Sequence, residues 1–326
     1  MKNLIKLTPG KASVFFLLIV FAFSVCPAQD EKSKDAKFNL IVAGKDGNFV
    51  YDLSKNDIAV FVDGKEQTNF TIEQETAPLL YMISVDNSGS MRLFLDQIID
   101  AGKTIVGKNR PQDLTSLLRF VGADKIQPSE KFTADRDSLA KILDGYYIEG
   151  GPTALIDGIY KSVELVSAEK VPDDNYRRAV VVISDGEDRD SFHTKAKLVE
   201  LLKKTGVQVF FIGLVSELST KSGSQEMLVL GPDKKLKKQT VQYQEQRKPA
   251  VDFIESIVRE SGGAAIYNDK KGKIPELAGQ VAAQMQTQLV IKIASSDDLK
   301  GKTVEIKPTA NSQKRNLKFY YRTVLP

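Results

Sequence analysis

The 326-residue sequence predicts an α/β fold in which a doubly wound, mostly parallel sheet is inserted between β-rich segments at the two ends of the chain. Three observations carry that prediction. Residues 79–85 (LLYMISV) and 179–184 (AVVVIS) are almost continuously apolar, as strands covered on both faces must be. Such runs alternate with helical stripes between residues 79 and 286, and strand–helix alternation builds a parallel sheet through right-handed crossovers. Outside this region, at 38–72 and 289–322, the apolar residues recur with a period of two and turn dipeptides separate the runs.

The elements follow in order. The first 28 residues read as a secretory signal peptide: Lys2, Lys6 and Lys11 precede an apolar run at 12–25, then Cys26-Pro27-Ala28 before a polar stretch. That run is short for a membrane span, which needs ~20 residues. Cleavage after Ala28 would leave Gln29 at the new terminus and no cysteine, excluding disulfides and thiol catalysis. A competing reading makes Cys26 a lipidated cysteine; the branched Val25 before it argues against this. The expected location is exported: periplasmic, secreted or cell-surface, with no transmembrane segment in the mature chain. Removing the three leader lysines from 46 basic residues leaves 43 against 42 acidic ones, a balance that gives nucleic-acid binding no support.

Residues 29–37 form a charged linker, and 38–78 an N-terminal β segment. Phe38, Leu40 and Val42 alternate, and the strand at 58–62 runs into Asp63-Gly64, a hairpin dipeptide. About 40 such residues are too few to be stable unaided. The C-terminal β segment, 288–326, is the expected partner, the two making a small β-sandwich; the alternative is two separate appendages. The α/β domain occupies 79–287. Its helices are read from Leu95, Ile98, Ile99, Gly102 and Ile105, from an Asp135-capped stretch with Leu139, Ile142 and Leu143, and from Ile156, Ile159, Val163 and Val166. Leu198, Leu201 and Leu202, then Phe253, Ile254 and Ile257, then Ile274, Leu277, Val281 and Met285 give three more, with strands at 114–121, 207–215 and 264–267 between.

Three stretches carry the chemistry. The strand at 79–85 ends in Asp86-Asn87-Ser88-Gly89-Ser90, whose Asp86, Ser88 and Ser90 sit at alternate positions of one turn. A glycine turn, Gly150-Gly151-Pro152, presents Thr153 at a helix start, and the 179–184 strand ends in Asp185-Gly186. Each is expected at the carboxyl end of the sheet, where open α/β sheets place ligands. Hydroxyl and carboxylate oxygens suit Mg²⁺, with Mn²⁺ or Ca²⁺ possible, whereas zinc or copper prefers His or Cys; His193 is the single histidine. Two carboxylates among five donors leave a divalent ion incompletely neutralised, an electrophile for an acidic ligand from outside. The adjacent helix start favours an anion above it.

Asp86-x-Ser88-x-Ser90, Thr153 in a GG-x-T-A-L turn and Asp185 after a β-branched strand together resemble a von Willebrand factor type A (VWA) domain and match its metal-ion-dependent adhesion site. The resemblance covers residues 79–286, and the flanking β segments are similar to those of the exported bacterial VWFA-related (acidobacterial-type) family. It implies a Rossmann-like fold. It further implies that Ser88 and Ser90 ligate the metal through their hydroxyls, that Asp86 and Asp185 act mainly through bridging waters, and that Thr153 engages according to conformation. Pro152 stiffens that turn.

The expected function is a non-enzymatic, exported adhesion or protein–protein interaction module whose cation captures an Asp or Glu of a partner protein. A purely structural metal is the alternative. A metal-dependent hydrolase is disfavoured: the sequence has no G-x-S-x-G elbow, no P-loop, and no second Asp two positions after Asp86. The segment 216–248 is long for a loop and carries Lys234, Lys235, Lys237 and Lys238, a basic rim for an acidic partner or else a solvated insertion. Glu187, Asp188 and Asp190 read as a solvated acidic loop rather than extra ligands, and His193 as a surface or helix-start residue.

Overall fold

A computed structural model describes residues 35–44, 48–129, 131–215, 225–230, 236–241, 247–268 and 273–325. The leader at 1–28 lies outside the described residues, as do Lys234 and Lys235.

The N-terminal segment forms β1 (Ala36–Ala43), β2 (Ile58–Val62), β3 (Lys65–Gln67) and β4 (Phe70–Thr76). β1 begins inside the stretch read as linker. The β2–β3 turn has Asp63 at φ 47° and Gly64 at φ 77°, the two positive values of a type I′ hairpin, so Asp-Gly there sets the register Val62↔Lys65.

The chain then enters the α/β domain through β5 (Leu79–Asp86), α1 (Leu95–Gly107), β6 (Leu114–Phe120), β7 (Ile126–Pro128), α2 (Arg136–Asp144) and α3 (Leu155–Ala168). It continues with β8 (Arg177–Ser184), α4 (Lys195–Thr205), β9 (Gln208–Gly213), β10 (Gln225–Leu230), β11 (Leu236–Val241), α5 (Arg247–Ser261), β12 (Ala265–Tyr267) and α6 (Ile274–Gln286). It returns to the β module as β13 (Thr287–Ile293), β14 (Val304–Pro308), the short α7 (Ala310–Gln313) and β15 (Lys318–Tyr321).

The main sheet has the order β12-β9-β8-β5-β6-β7, parallel throughout except for the antiparallel edge strand β7. All eight residues of β5 are buried, because helices cover both faces of this central strand. Each fully buried aliphatic side chain, Leu80 or Ile83 for example, contributes ~1.5–3 kcal/mol by leaving water. After β5 the chain turns to β6 on one side and later to β8 on the other. β5 is therefore the strand at which the order reverses, and its carboxyl end borders the crevice.

The two chain ends pair with each other. One sheet runs β15-β1-β13-β4 and a second β14-β2-β3, so each mixes N- and C-terminal strands. A separate apolar core, including Leu40, Val60, Ile291 and Ile306, fills the space between them. This is a small β-sandwich, and the α/β domain leaves it and rejoins it at adjacent points: Thr76 at the end of β4 pairs with Thr287 at the start of β13.

One departure from the sequence reading lies at 216–248. β10 and β11 pair antiparallel there, with Val229 opposite Lys237 and Leu228 opposite Lys238, and Arg247 and Lys248 already belong to α5. Among the described residues no helix is long and apolar enough to cross a membrane.

Close packing makes one backbone position critical. A Cβ at Gly263 would lie 2.0 Å from the carbonyl oxygen of Val209, and backbone cannot move aside as a side-chain tip can. Gly263→Ala is expected to lower stability by about 3 kcal/mol. Gly279, inside α6, has only Thr104 at 3.8 Å, so Gly279→Ala is expected to raise it by ~0.5–1 kcal/mol through helix propensity. Urea unfolding of the two variants side by side checks both signs.

Candidate metal centre

The three sequence stretches meet above the carboxyl ends of β5 and β8. Asp86 closes β5 and is fully buried; its Oδ1 accepts from the Ser88 N–H at 2.9 Å and its Oδ2 from the Ser184 hydroxyl at 2.7 Å. A tight 3₁₀ turn, Gly89–Phe94, follows, and α1 begins at Leu95. That turn brings the hydroxyls of Ser88 and Ser90 to 3.1 Å. Adjacent ligands of an octahedral Mg²⁺ at ~2.0–2.1 Å stand about 2.9 Å apart, so the pair already has the spacing of neighbouring ligands.

Thr153 arrives through a turn that only glycine serves, Gly150 at φ 82° and Gly151 at φ 122°. Three ties fix it. Gly150 N–H donates to the Asn87 carbonyl at 3.2 Å, Ala154 N–H to the Val121 carbonyl at 2.6 Å, and the Thr153 carbonyl accepts from Arg189 N–H at 2.7 Å and Asp190 N–H at 3.0 Å. The first loop is thus laced to the second, and the second to the third. Asp185 follows β8, and its Oδ1 accepts from Glu187 N–H at 3.1 Å. Asp86, Ser88, Thr153 and Asp185 are buried, whereas Ser90 is exposed.

The electrostatics fit a cation. Burial, and then the neighbouring Asp185 charge, push the Asp86 carboxyl up to about 7, against the pull of its serine hydrogen bonds. Two buried carboxylates repel here, and among the described residues no lysine, arginine or histidine pairs with either. A divalent ion would remove that penalty. Among the described residues no three His, Cys, Asp or Glu side chains cluster as a soft metal would need, so the donor set remains hydroxyl-rich and hard.

The sign of the pH dependence follows. A folded-state value near 7 lies above the ordinary 3.8, so this group's stabilising contribution is complete at acid pH and is lost as pH rises through 7. The metal requires the ionised form. The apparent Mg²⁺ affinity is expected to rise about tenfold per pH unit up to ~7 and then level, with close to one proton released per ion below pH 7. Calorimetry in two buffers of different ionisation heat measures both.

Sequence reasoning missed the supports of this site. Ser184 holds Asp86 in place and also accepts from Gly186 N–H at 3.1 Å. The acidic loop is not simply solvated: Asp188 accepts from Ile156 N–H at 3.1 Å at the start of α3, and Asp190 from Ala123 N–H at 3.2 Å. Buried Asp157 binds the end of the same loop, accepting from Phe192 N–H at 2.7 Å and from His193 N–H and Nδ1, each at 2.8 Å. His193 does precede α4, as expected, and it also stacks on Tyr160 with ring centroids 3.9 Å apart. Lys237 and Lys238 lie on β11, away from the five donors in sequence; their side chains are outside the description.

The family model of the von Willebrand factor type A domain matches residues 82–249, just over half of the chain. The chain belongs to the von Willebrand factor type A domain family. The match spans all five candidate donors, Asp86, Ser88, Ser90, Thr153 and Asp185. No match is found among curated proteins. Among solved structures, BatB from Bacteroides thetaiotaomicron is similar at 18% identity, with 64% of this chain and 98% of that chain covered and a TM-score of 0.44. A von Willebrand factor type A protein from Catenulispora acidiphila is similar at 10% identity over 85% of this chain and 75% of that one, TM-score 0.46. The pilus adhesin SpaC from Lactobacillus rhamnosus GG, in its open conformation, is similar at 8% identity over 84% and 48%, TM-score 0.47.

Proposed function

We propose that this VWA protein is an exported, non-enzymatic adhesion or interaction module. Asp86, Ser88, Ser90, Thr153 and Asp185 hold a divalent cation, Mg²⁺ foremost and Mn²⁺ or Ca²⁺ otherwise, and that site captures an Asp or Glu side chain of a partner protein. The observation that carries the reading is a pair of buried carboxylates, unmatched by any cation among the described residues, beside one solvent-exposed hydroxyl at Ser90. The buried side supplies affinity for the ion, and the exposed side leaves room for an outside ligand. The ion's chemistry would be Lewis acidity toward one carboxylate oxygen. This chain's residues do the rest. Ser184 and the Ser88 N–H orient Asp86, and the Asn87 and Thr153 carbonyls tie the three loops into one rigid cradle.

The surroundings support a protein ligand. Each of the three site loops carries one exposed large apolar side chain: Leu93 (79% exposed) after Ser90, Tyr147 (53%) before Gly150, and Phe192 (86%) after Asp185. Apolar groups around a charged anchor are the composition of a binding centre with hot spots. Lys237 and Lys238, with Lys234 and Lys235, extend the reading as a basic rim that steers an acidic partner. Export rests on the basic start and apolar run before Ala28.

The test is selection of displayed peptides on immobilised protein in Mg²⁺ with elution by EDTA. The selected peptides are expected to contain Asp or Glu and to lose binding when that residue becomes its amide. Leu93→Ser and Phe192→Ser are expected to weaken them at least tenfold, on the order of 1.4 kcal/mol, with Mg²⁺ affinity unchanged. Peptides that bind equally in EDTA, or equally as amides, would remove the proposal.

A further inference from the structure

The opposite end of the α/β sheet carries a second opening of contrary charge. At the amino ends of β8 and β9, where they meet β1 and β15 of the sandwich, lies a cleft of about 300 Å³ lined by Lys37, Tyr176, Arg177, Arg178, Gln208 and Arg322 among others. No carboxylate lines it among the described residues. Lys37 has a partner, Glu75 at 2.8 Å. The three arginines form no ion pair among the described residues.

They bond to carbonyl oxygens instead. Arg177 Nη2 donates to Gln286 at 2.8 Å, Arg178 Nη2 to Glu169 at 2.8 Å and its Nη1 to Val166, and Arg322 Nε to Ser261 at 3.1 Å. Nε and Nη1 of Arg177 are buried with no hydrogen-bond partner among the described residues. Carbonyls satisfy donors but do not neutralise charge. Burial lowers Arg322 and brings Arg177 down to about 10, the nearby Glu75 and Asp113 charges offsetting only part of it for Arg177. Orphaned buried donors call for an ion or a water.

We propose that this cleft is an anion site that takes a phosphate-type oxyanion, free or as the phosphate ester of a small molecule, between Arg177, Arg178 and Arg322. Guanidinium forks match tetrahedral oxyanions in geometry as well as charge, which a point-charge lysine does not. The volume suits a small ligand and excludes a large one. Its walls come from both modules, β1 and Arg322 just after β15 on one side and β8 and β9 on the other, so the bound anion fastens the sandwich to the α/β domain. The site is independent of the cation cradle, which stands at the other end of the same strands.

Thermal unfolding of the whole chain in EDTA, with ionic strength fixed by NaCl, tests this without involving the metal. Inorganic phosphate and glycerol phosphate are titrated separately, and the tighter of the two identifies the form of the ligand. At a hundred times its dissociation constant the anion is expected to raise the midpoint by roughly 5 °C. Arg178→Gln is expected to weaken the effect at least tenfold and Lys37→Gln several-fold. Each substitution also removes a bond within the chain, Arg178 to Val166 and Glu169 and Lys37 to Glu75, so the rise is read against each variant's own midpoint in NaCl. No saturable rise with either phosphate compound beyond that of NaCl alone would overturn the proposal and leave the cleft to water. A rise undiminished in both Arg178→Gln and Lys37→Gln would overturn it equally.

Discussion

Stripped of divalent cations at pH 8, Asp86→Asn is expected to unfold at a higher temperature than the wild type, although it removes a buried charged group. The Asp86 carboxyl ordinarily titrates at 3.8 and in the folded protein at about 7. Each tenfold change in proton affinity is ~1.4 kcal/mol, so ionising this group in place opposes folding by on the order of 4 kcal/mol at pH 8. An asparagine keeps the shape: its amide oxygen accepts from the Ser88 N–H, and its NH₂ faces the Ser184 oxygen. It relieves the repulsion with Asp185. Mg²⁺ then separates the two proteins in the other sense. At a hundred times its dissociation constant the ion adds ~2.7 kcal/mol to the wild type, a rise of about 5 °C, and adds nothing to Asp86→Asn or Asp185→Ala. Scanning calorimetry at pH 8 and pH 5 reads the whole pattern. At pH 5 the wild type holds the proton, and the advantage of the variant in EDTA shrinks.

The second large effect lies away from the donors. Asp157→Ala is expected to lower stability by about 4 kcal/mol and to weaken Mg²⁺ binding at least tenfold. Its carboxylate accepts three hydrogen bonds from the stretch Phe192-His193, all at 2.7–2.8 Å. Truncation leaves two backbone N–H groups of a partly buried loop without acceptors, each costing ~1–3 kcal/mol. The histidine also loses its acceptor; because a carboxylate only accepts, the proton of that bond sits on Nδ1. The same loop carries Asp185, so its loosening reaches the cation. Urea unfolding in EDTA and Mg²⁺ titration of the surviving fold separate the two parts. A loss under 1 kcal/mol would mean that the loop is held by its other ties, to Thr153, Ile156 and Ala123.

What the sequence disclosed and what it concealed have a common physical reason. The buried strands were legible because a strand covered on both faces admits little besides branched apolar residues, as in 179–184. The type I′ turn at Asp63-Gly64 and the glycine turn before Thr153 were legible because positive φ angles restrict which residues serve there. The five candidate donors stand out because two strand ends and a glycine turn present Asp, Ser and Thr in fixed local spacing. By contrast, the bond from Ser184 to Asp86 joins residues 98 apart, and the pairing of Asp157 with His193 joins residues 36 apart. Neither has any local signature. The hairpin of β10 and β11 was concealed by its lysines: Lys237 and Lys238 read as solvated charge, although their backbone pairs with Val229 and Leu228. The arginines without an ion pair among the described residues were equally silent, since a sequence shows charge and not where its partners lie.

The central claim is that Asp86, Ser88, Ser90, Thr153 and Asp185 hold an ion with a coordination position open to an outside carboxylate. Water-proton relaxation of protein-bound Mn²⁺, titrated with acetate and in parallel with acetamide, addresses it most directly. The account predicts a strong enhancement with the wild type, none with Asp86→Ala, and a fall on adding acetate but not acetamide. Bound Mn²⁺ without enhancement, or an enhancement that acetate leaves untouched, would contradict it and make the ion a structural clamp closed from within.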